Sequence, residues 1–252
     1  MTPEQLSNTI AQEIQTLGMS FYFDPLTGER AKTHGLNVFE YYGLGRGGVL
    51  GDVDAAVVFE AFTFFDQRTI DFLWSAAKEK ADPVAIAADY LLAAYAFADR
   101  TFGALDADAL ARFGASVRRV VDALTPGRCP LVDGYKRYDA PSDPVHAAYL
   151  GTILLRELRG GVHIEAVKEV GLLAHEAAFL QDASVYKLHG YRDEDAPVAT
   201  PALEAKKREA EERTTHKEAQ CFAVLNEEER ANLAEVAASM FAALASPVAV
   251  SK

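Results

Sequence analysis

The chain has 252 residues, half of them hydrophobic, with 25 Lys+Arg against 37 Asp+Glu and a formal net charge of −12. That length and balance support a buried core without disulfide or metal staples and exclude a disordered chain. The acidic surplus argues against a generic binder of nucleic acid or anionic membrane, because phosphate surfaces need Lys and Arg to neutralise them.

Taken in order, almost every long segment has a helical period. A first amphipathic helix begins near Gln5, carries Ile10, Ile14 and Leu17, and closes at Gly18. Residues 19–24 are a short aromatic piece, extended or a packing loop. Residues 37–42 form a short aromatic helix that the glycines at 43, 45, 47 and 48 are expected to break. Two further helices are expected over 52–65 and 67–80. Asp82-Pro83 supplies an N-cap followed by proline at the first helical position, and residues 84–97 are apolar on nearly every face, the mark of a central buried helix. Residues 106–124 form another amphipathic helix, followed by a loop over 128–142. Asp143-Pro144 caps a helix expected to stop at Gly160-Gly161, with short helices over 163–170 and 172–181. After an acidic linker over 191–200 comes a charged helix over 201–213. The β-branched and aromatic content of 217–225 suggests a short strand or hairpin. Asn226 and Glu229 form a capping-box pattern that opens a last helix. The fold class is therefore mostly α: a multi-helix bundle over 1–165, then a degenerate winged-helix-like region over 166–252 with a short β hairpin at most.

The densest group of chemically useful side chains lies between His146 and His163. Helical offsets place His146, Leu150, Ile153 and Glu157 on one stripe, with Arg156 and Arg159 one turn apart and His163 beyond the paired glycines. Two guanidiniums, a carboxylate and an imidazole within two turns suit an anionic ligand or a proton transfer; the plain alternative is solvated charges and half-buried histidines. The second group is Tyr41-Tyr42-Gly43-Leu44-Gly45-Arg46, with Phe62 and Phe65 downstream, where glycine amides and Arg46 suit an anion. The glycines follow a helix rather than a strand, which rules out a dinucleotide fingerprint. Arg46 is expected to approach the 156–163 segment and, with Tyr41, Tyr42, Phe62 and Phe65, to line one pocket.

Other chemistries find little support. The six histidines are scattered, with no HExxH and only His175-Glu176 as a metal-capable pair, so no metal site is expected. There is no GxSxG, and Cys129 and Cys221 stand far apart without a CxxC. The N-terminus lacks signal-peptide order and no apolar run reaches the length of a membrane span, so a cytoplasmic protein with no membrane association is expected. A winged helix-turn-helix reading of the C-terminal third meets a charge problem. Lys206, Lys207, Arg208 and Arg213 are matched by Glu204, Glu209, Glu211 and Glu212, two of the pairs at i,i+4 spacing. From Ala166 onward 10 Lys+Arg face 15 Asp+Glu, a net of −5.

Gly127-Arg-Cys-Pro-Leu131, Pro141-Ser-Asp-Pro144, and Leu154-Leu-Arg-Glu-Leu-Arg-Gly160 with His163 resemble the GRPL, PxDPL and LLREHRGDGH signatures of an uncharacterised bacterial family, common in actinobacteria. An upstream Gly-Arg near an aromatic helix is matched by Gly45-Arg46. That family is labelled helix-turn-helix; the resemblance covers most of residues 20–180. Leu158 stands where the family has His, Gly161-Val162 where it has Asp-Gly, and residues 191–225 depart from its wing. The resemblance marks Arg46, Arg156, Glu157, Arg159 and His163 as matching positions and supplies no mechanism.

Three functions remain. The first is a small-molecule-binding protein, regulatory or accessory in a metabolic pathway, with Arg46, Tyr42, His146, Arg156 and Arg159 around an anionic or aromatic ligand. The second is an enzyme on such a metabolite with Glu157 or His163 as acid/base, and the third is a DNA-binding regulator. Nucleic acid is the disfavoured partner, a homodimer is left open, and no motif names a cofactor.

Overall fold

The computed structural model describes residues 1–245, three quarters of the chain being helical. Among the described residues there are thirteen α-helices and no strand. They are α1 (Pro3–Met19), α2 (Pro25–Thr33), α3 (Val38–Gly47), α4 (Ala55–Ala61), α5 (Gln67–Ile70), α6 (Pro83–Phe102) and α7 (Ala107–Asp122), followed by α8 (Pro130–Tyr135), α9 (Pro144–Glu169), α10 (Ala174–Gln181), α11 (Ala183–Leu188), α12 (Pro201–Phe222) and α13 (Glu227–Leu244). Residues 246–252, the end of the C-terminal region, lie outside the described part.

The starts of these helices are written locally. Thr2, Asp24, Asp82, Asp143 and Thr200 each cap a helix whose next residue is proline, satisfying an orphan amide while the ring pre-sets the first helical turn. Asn37 with Glu40 and Asn226 with Glu229 add reciprocal capping boxes. Apolar stripes then assemble around α9, against which α1, α6, α7, α8 and α12 pack, while α13 returns onto α1 and α7. One continuous core runs from Leu6 to Met240, so α12 and α13 share it with the N-terminal helices. Among the described residues, no helix is long and apolar enough to cross a membrane.

Four local expectations are corrected. Residues 217–222 continue α12 rather than forming a strand. The burial of Ala210, Thr214, Glu218 and Phe222 at intervals of four is helical, and it outweighs the local β-branched content. The glycines after Tyr42 do not break α3, which runs on to Gly47. They are sites of close approach: a Cβ at Gly45 would overlap the Tyr90 ring, and one at Gly47 would sit 2.9 Å from Trp74. Gly160-Gly161 likewise does not end α9, which is unbroken for 26 residues; a Cβ at Gly161 would lie 2.5 Å from Cys129 Sγ. The loop expected over 128–142 contains α8, started by Pro130.

Gly160 and Gly45 therefore respond oppositely to alanine. At Gly160 nothing lies within 4 Å of an added Cβ, so Gly160→Ala stabilises, by about 0.5–1 kcal/mol through restored helix propensity. Gly45→Ala forces Tyr90 or α3 to move and costs about 1–3 kcal/mol. Urea unfolding of both variants checks this, and a Gly45→Ala variant as stable as wild type would refute close packing at α3.

Candidate active-site cavity

The glycines of α3 let it sink against α6 and the Leu73–Trp74 segment, and that depth places Arg46, 8 % exposed, inside the molecule. There its Nε and Nη2 each donate at 2.8 Å to the two carboxylate oxygens of Glu157 on α9, itself 3 % exposed. Arg46 Nη1 donates to the Tyr42 hydroxyl one turn back, at 3.1 Å, and its guanidinium lies 4.3 Å over the Phe62 ring. A second guanidinium joins from α9: Arg156 Nη1 donates to Glu157 Oε1 and to the Tyr22 hydroxyl, both at 3.1 Å. The stem of Arg156 lies over Gly18 of α1, where a Cβ would meet its Cδ at 2.8 Å.

Burial penalises the charge on Glu157, but the Arg46 charge and hydrogen bonds, with those of Arg156, outweigh it and hold the carboxyl below its ordinary range. Burial raises the Tyr22 hydroxyl, so it stays a neutral phenol. The cluster of Arg46, Arg156 and Glu157 carries two positive charges and one negative. Among the described residues the Arg156 Nε–H has no partner.

This cluster forms one wall of a cavity of about 1210 Å³. Tyr22, Tyr42, Phe62, Phe64 and Phe65 supply aromatic walls, and Phe23, Phe39 and Phe72, all more than two-fifths exposed, lie at its rim. Further along α9, Arg159 and His163 also line it. Arg159 is committed to Glu218 at 2.7 Å, with Glu211 at 3.6 Å. His163 Nδ1 lies 2.9 Å from the Thr214 hydroxyl, and that hydroxyl donates to Ala210 O at 2.7 Å. Burial lowers the His163 pKa; the nearby Glu211 charge opposes this and those of Arg159 and Lys207 reinforce it.

Arg46, Tyr42, Arg156, Glu157, Arg159 and His163 thus meet at one cavity. His146 does not. It sits at the start of α9, stacked 4.6 Å from Tyr95, with Nε2 2.8 Å from Asp99. Asp99, Asp143 and His146 place ligand-type atoms within 4.8 Å of one another, but an Asp143 oxygen already accepts from two amides as the cap of α9. Tyr41 turns away too, giving its hydroxyl to Asp89, which Arg30 and His34 share. Sequence reasoning missed Tyr22 and His189. The first lies in the unassigned aromatic turn after α1. The second packs on Phe65 at 4.4 Å, its pKa lowered to about 4 by burial and by the charges of Arg46 and Arg156.

Compared with known proteins, residues 7–250 match the profile of a helix-turn-helix family. No curated protein and no solved structure matches the chain.

Replacing Glu157 by Gln leaves two buried guanidiniums without their carboxylate and costs about 3–5 kcal/mol at neutral pH. Because the folded pKa lies below the unfolded one, the contribution of Glu157 is complete above about pH 4.3 and is lost as pH falls through the folded value. The stability gap between wild type and Glu157→Gln should therefore be widest near neutrality and close in acid, as read by urea unfolding across pH. A gap that does not change with pH would show that the pair is not the source.

Proposed function

We propose that this chain, which belongs to a helix-turn-helix family, is a cytoplasmic small-molecule-binding protein with a regulatory or accessory role in metabolism. The observation that carries this reading is the cavity of about 1210 Å³ with aromatic walls, closed on one side by the buried Arg46–Glu157–Arg156 cluster. Ligand sites are typically apolar hollows of about 300–1,000 Å³ with a few convergent polar groups, and a structural ion pair alone needs no such space beside it.

The enzyme reading narrows to His163. Glu157 is clamped by two guanidiniums that favour its ionised form, so it is a poor proton shuttle, whereas burial lowers the His163 pKa, which favours the neutral ring that can accept a proton, and that ring lines the cavity.

The family's label supports a second reading, DNA binding through α12. The positions of its basic groups weigh against this. Lys206 donates to Gly171 O at 2.7 Å, Lys207 to Leu180 O at 2.6 Å, and Arg213 pairs with Glu209 and Glu169. Phosphate contacts would have to compete with each of these.

Native mass spectrometry of the purified protein, with a thermal-shift screen of aromatic acids, tests the first reading: a bound species or a raised melting temperature is expected, and the Arg46→Met variant should lose it. A gel shift with random duplex at about 0.15 M salt should show no complex at micromolar protein. A complex with a steep salt dependence, and no response to any small molecule, would transfer the assignment to DNA.

A further inference from the structure

Resting on the reading that the cavity holds a small molecule, we infer that its ligand is a hydroxylated aromatic carboxylate. Its anionic group meets Arg156, Tyr22 and Tyr42, and its hydroxyl donates to His163 roughly 10 Å further along α9, two helical turns on.

The anionic end follows from unused donors. Tyr22 and Tyr42 each accept a hydrogen bond from a guanidinium, and neither gives its own O–H to any acceptor among the described residues. These are two donors at one wall; the Arg156 Nε–H is unpartnered too but is closed off from the cavity. A neutral ligand would leave them unsatisfied in a buried place. The adjacent cluster of two guanidiniums and one carboxylate has a surplus of one positive charge, which a monoanion cancels and a dianion overshoots. The wider lining agrees: Arg46, Arg128, Arg156, Arg159, Lys168 and Lys207 face Glu60, Glu157, Glu165 and Glu211, a cationic hollow in a chain of net charge −12.

The other end follows from one hydrogen atom. The Thr214 hydroxyl has a single proton and donates it to Ala210 O, so the contact with His163 must have Nδ1–H as donor. The lone pair then sits on Nε2, which has no hydrogen-bond partner among the described residues. A ligand group there must donate. The charges nearby, Glu211 against Arg159 and Lys207, are of mixed sign and call for no cation, so a neutral hydroxyl serves. Between the ends, Phe62, Phe64 and Phe65 line the cavity, and the Phe64 ring lies 5.5 Å from that of His163, walls suited to a flat aromatic body.

Three probes separate the parts: 4′-hydroxybiphenyl-4-carboxylate, biphenyl-4-carboxylate and 4-phenylphenol, titrated calorimetrically into the full chain. The first should bind tightest, and loss of either polar group should weaken binding by about tenfold or more. Tyr22→Phe, which keeps the ring, should reduce the carboxylates' affinity and leave that of 4-phenylphenol unchanged. His163→Phe should abolish the advantage of the hydroxyl and keep that of the carboxylate; unfolding midpoints show that both variants are folded. If 4-phenylphenol binds wild type as tightly as the full probe, the anionic end is refuted while the cavity remains a binding site. If biphenyl-4-carboxylate does so, the His163 end is refuted. If none of the three binds at about millimolar concentration, the inference is refuted, whereas the small-molecule reading falls only if native mass spectrometry and the thermal-shift screen are silent as well.

Discussion

The bidentate pair between Arg46 and Glu157, residues 111 apart in sequence, joins α3 to α9, and the interior is arranged around it. A buried ion pair is favourable only where geometry is good and the remaining donors and acceptors are met, because both ions have left water. Here the two parallel hydrogen bonds, the Tyr42 oxygen and the Phe62 face take up most of the Arg46 guanidinium. Reaching that position requires α3 to lie deep, and its depth requires glycine at 43, 45 and 47. The pair thus dictates the composition of a helix whose propensity is poor by any local scale. The compensation is tertiary.

Arg156 changes the character of this centre from a closed strut to an open one. A one-to-one pair buried in a core would be electrically complete, but a second guanidinium on the same carboxylate leaves positive charge over, and leaves the Nε–H unpartnered. Stability alone would be served as well by an apolar side chain at 156, lying over Gly18 as the arginine stem does. That the chain keeps a buried cation there, on a residue that lines the cavity, sets this wall apart from the exposed pairs at the surface, such as Lys32 with Glu29, which contribute little either way.

How much of this was legible in the sequence depends on what each residue's meaning requires. Helix starts were legible because a cap and a proline act within three residues, as at Asp82 and Asp143. A shared pattern of glycine beside arginine predicts the meeting of Arg46 with Glu157, but through a helix break at glycine that does not exist: in Gly45 and Gly161 the residue is a place where another side chain comes close. Only the partner's position distinguishes the two, and sequence does not carry that. His146 shares the Glu157 stripe, yet the two are three turns apart, so a common face did not mean a common site. Tyr41 and Tyr42 show the same limit at finer grain, since adjacent helical residues diverge by about 100° and only one of them reaches the cavity. Residues 217–225 misled because composition was weighed over a short window, while the buried spacing over 210–222 was helical throughout.

The helix-turn-helix family and the cavity need not compete, because the family match over residues 7–250 takes in α12, which also lines the cavity. Lys207, Ala210 and Glu211 line the cavity, and on the same helix Glu218 accepts from Arg159 of α9 and from Ser7 of α1. Burial raises the Glu218 carboxyl, the Arg159 charge and the Ser7 and Arg159 hydrogen bonds only partly opposing it, so this junction tolerates a proton where Glu157 does not. The two acidic struts therefore respond oppositely to acid. Glu157 favours folding as it ionises, whereas Glu218, bound more readily by a proton in the folded chain than in the unfolded one, gives up stability as pH rises.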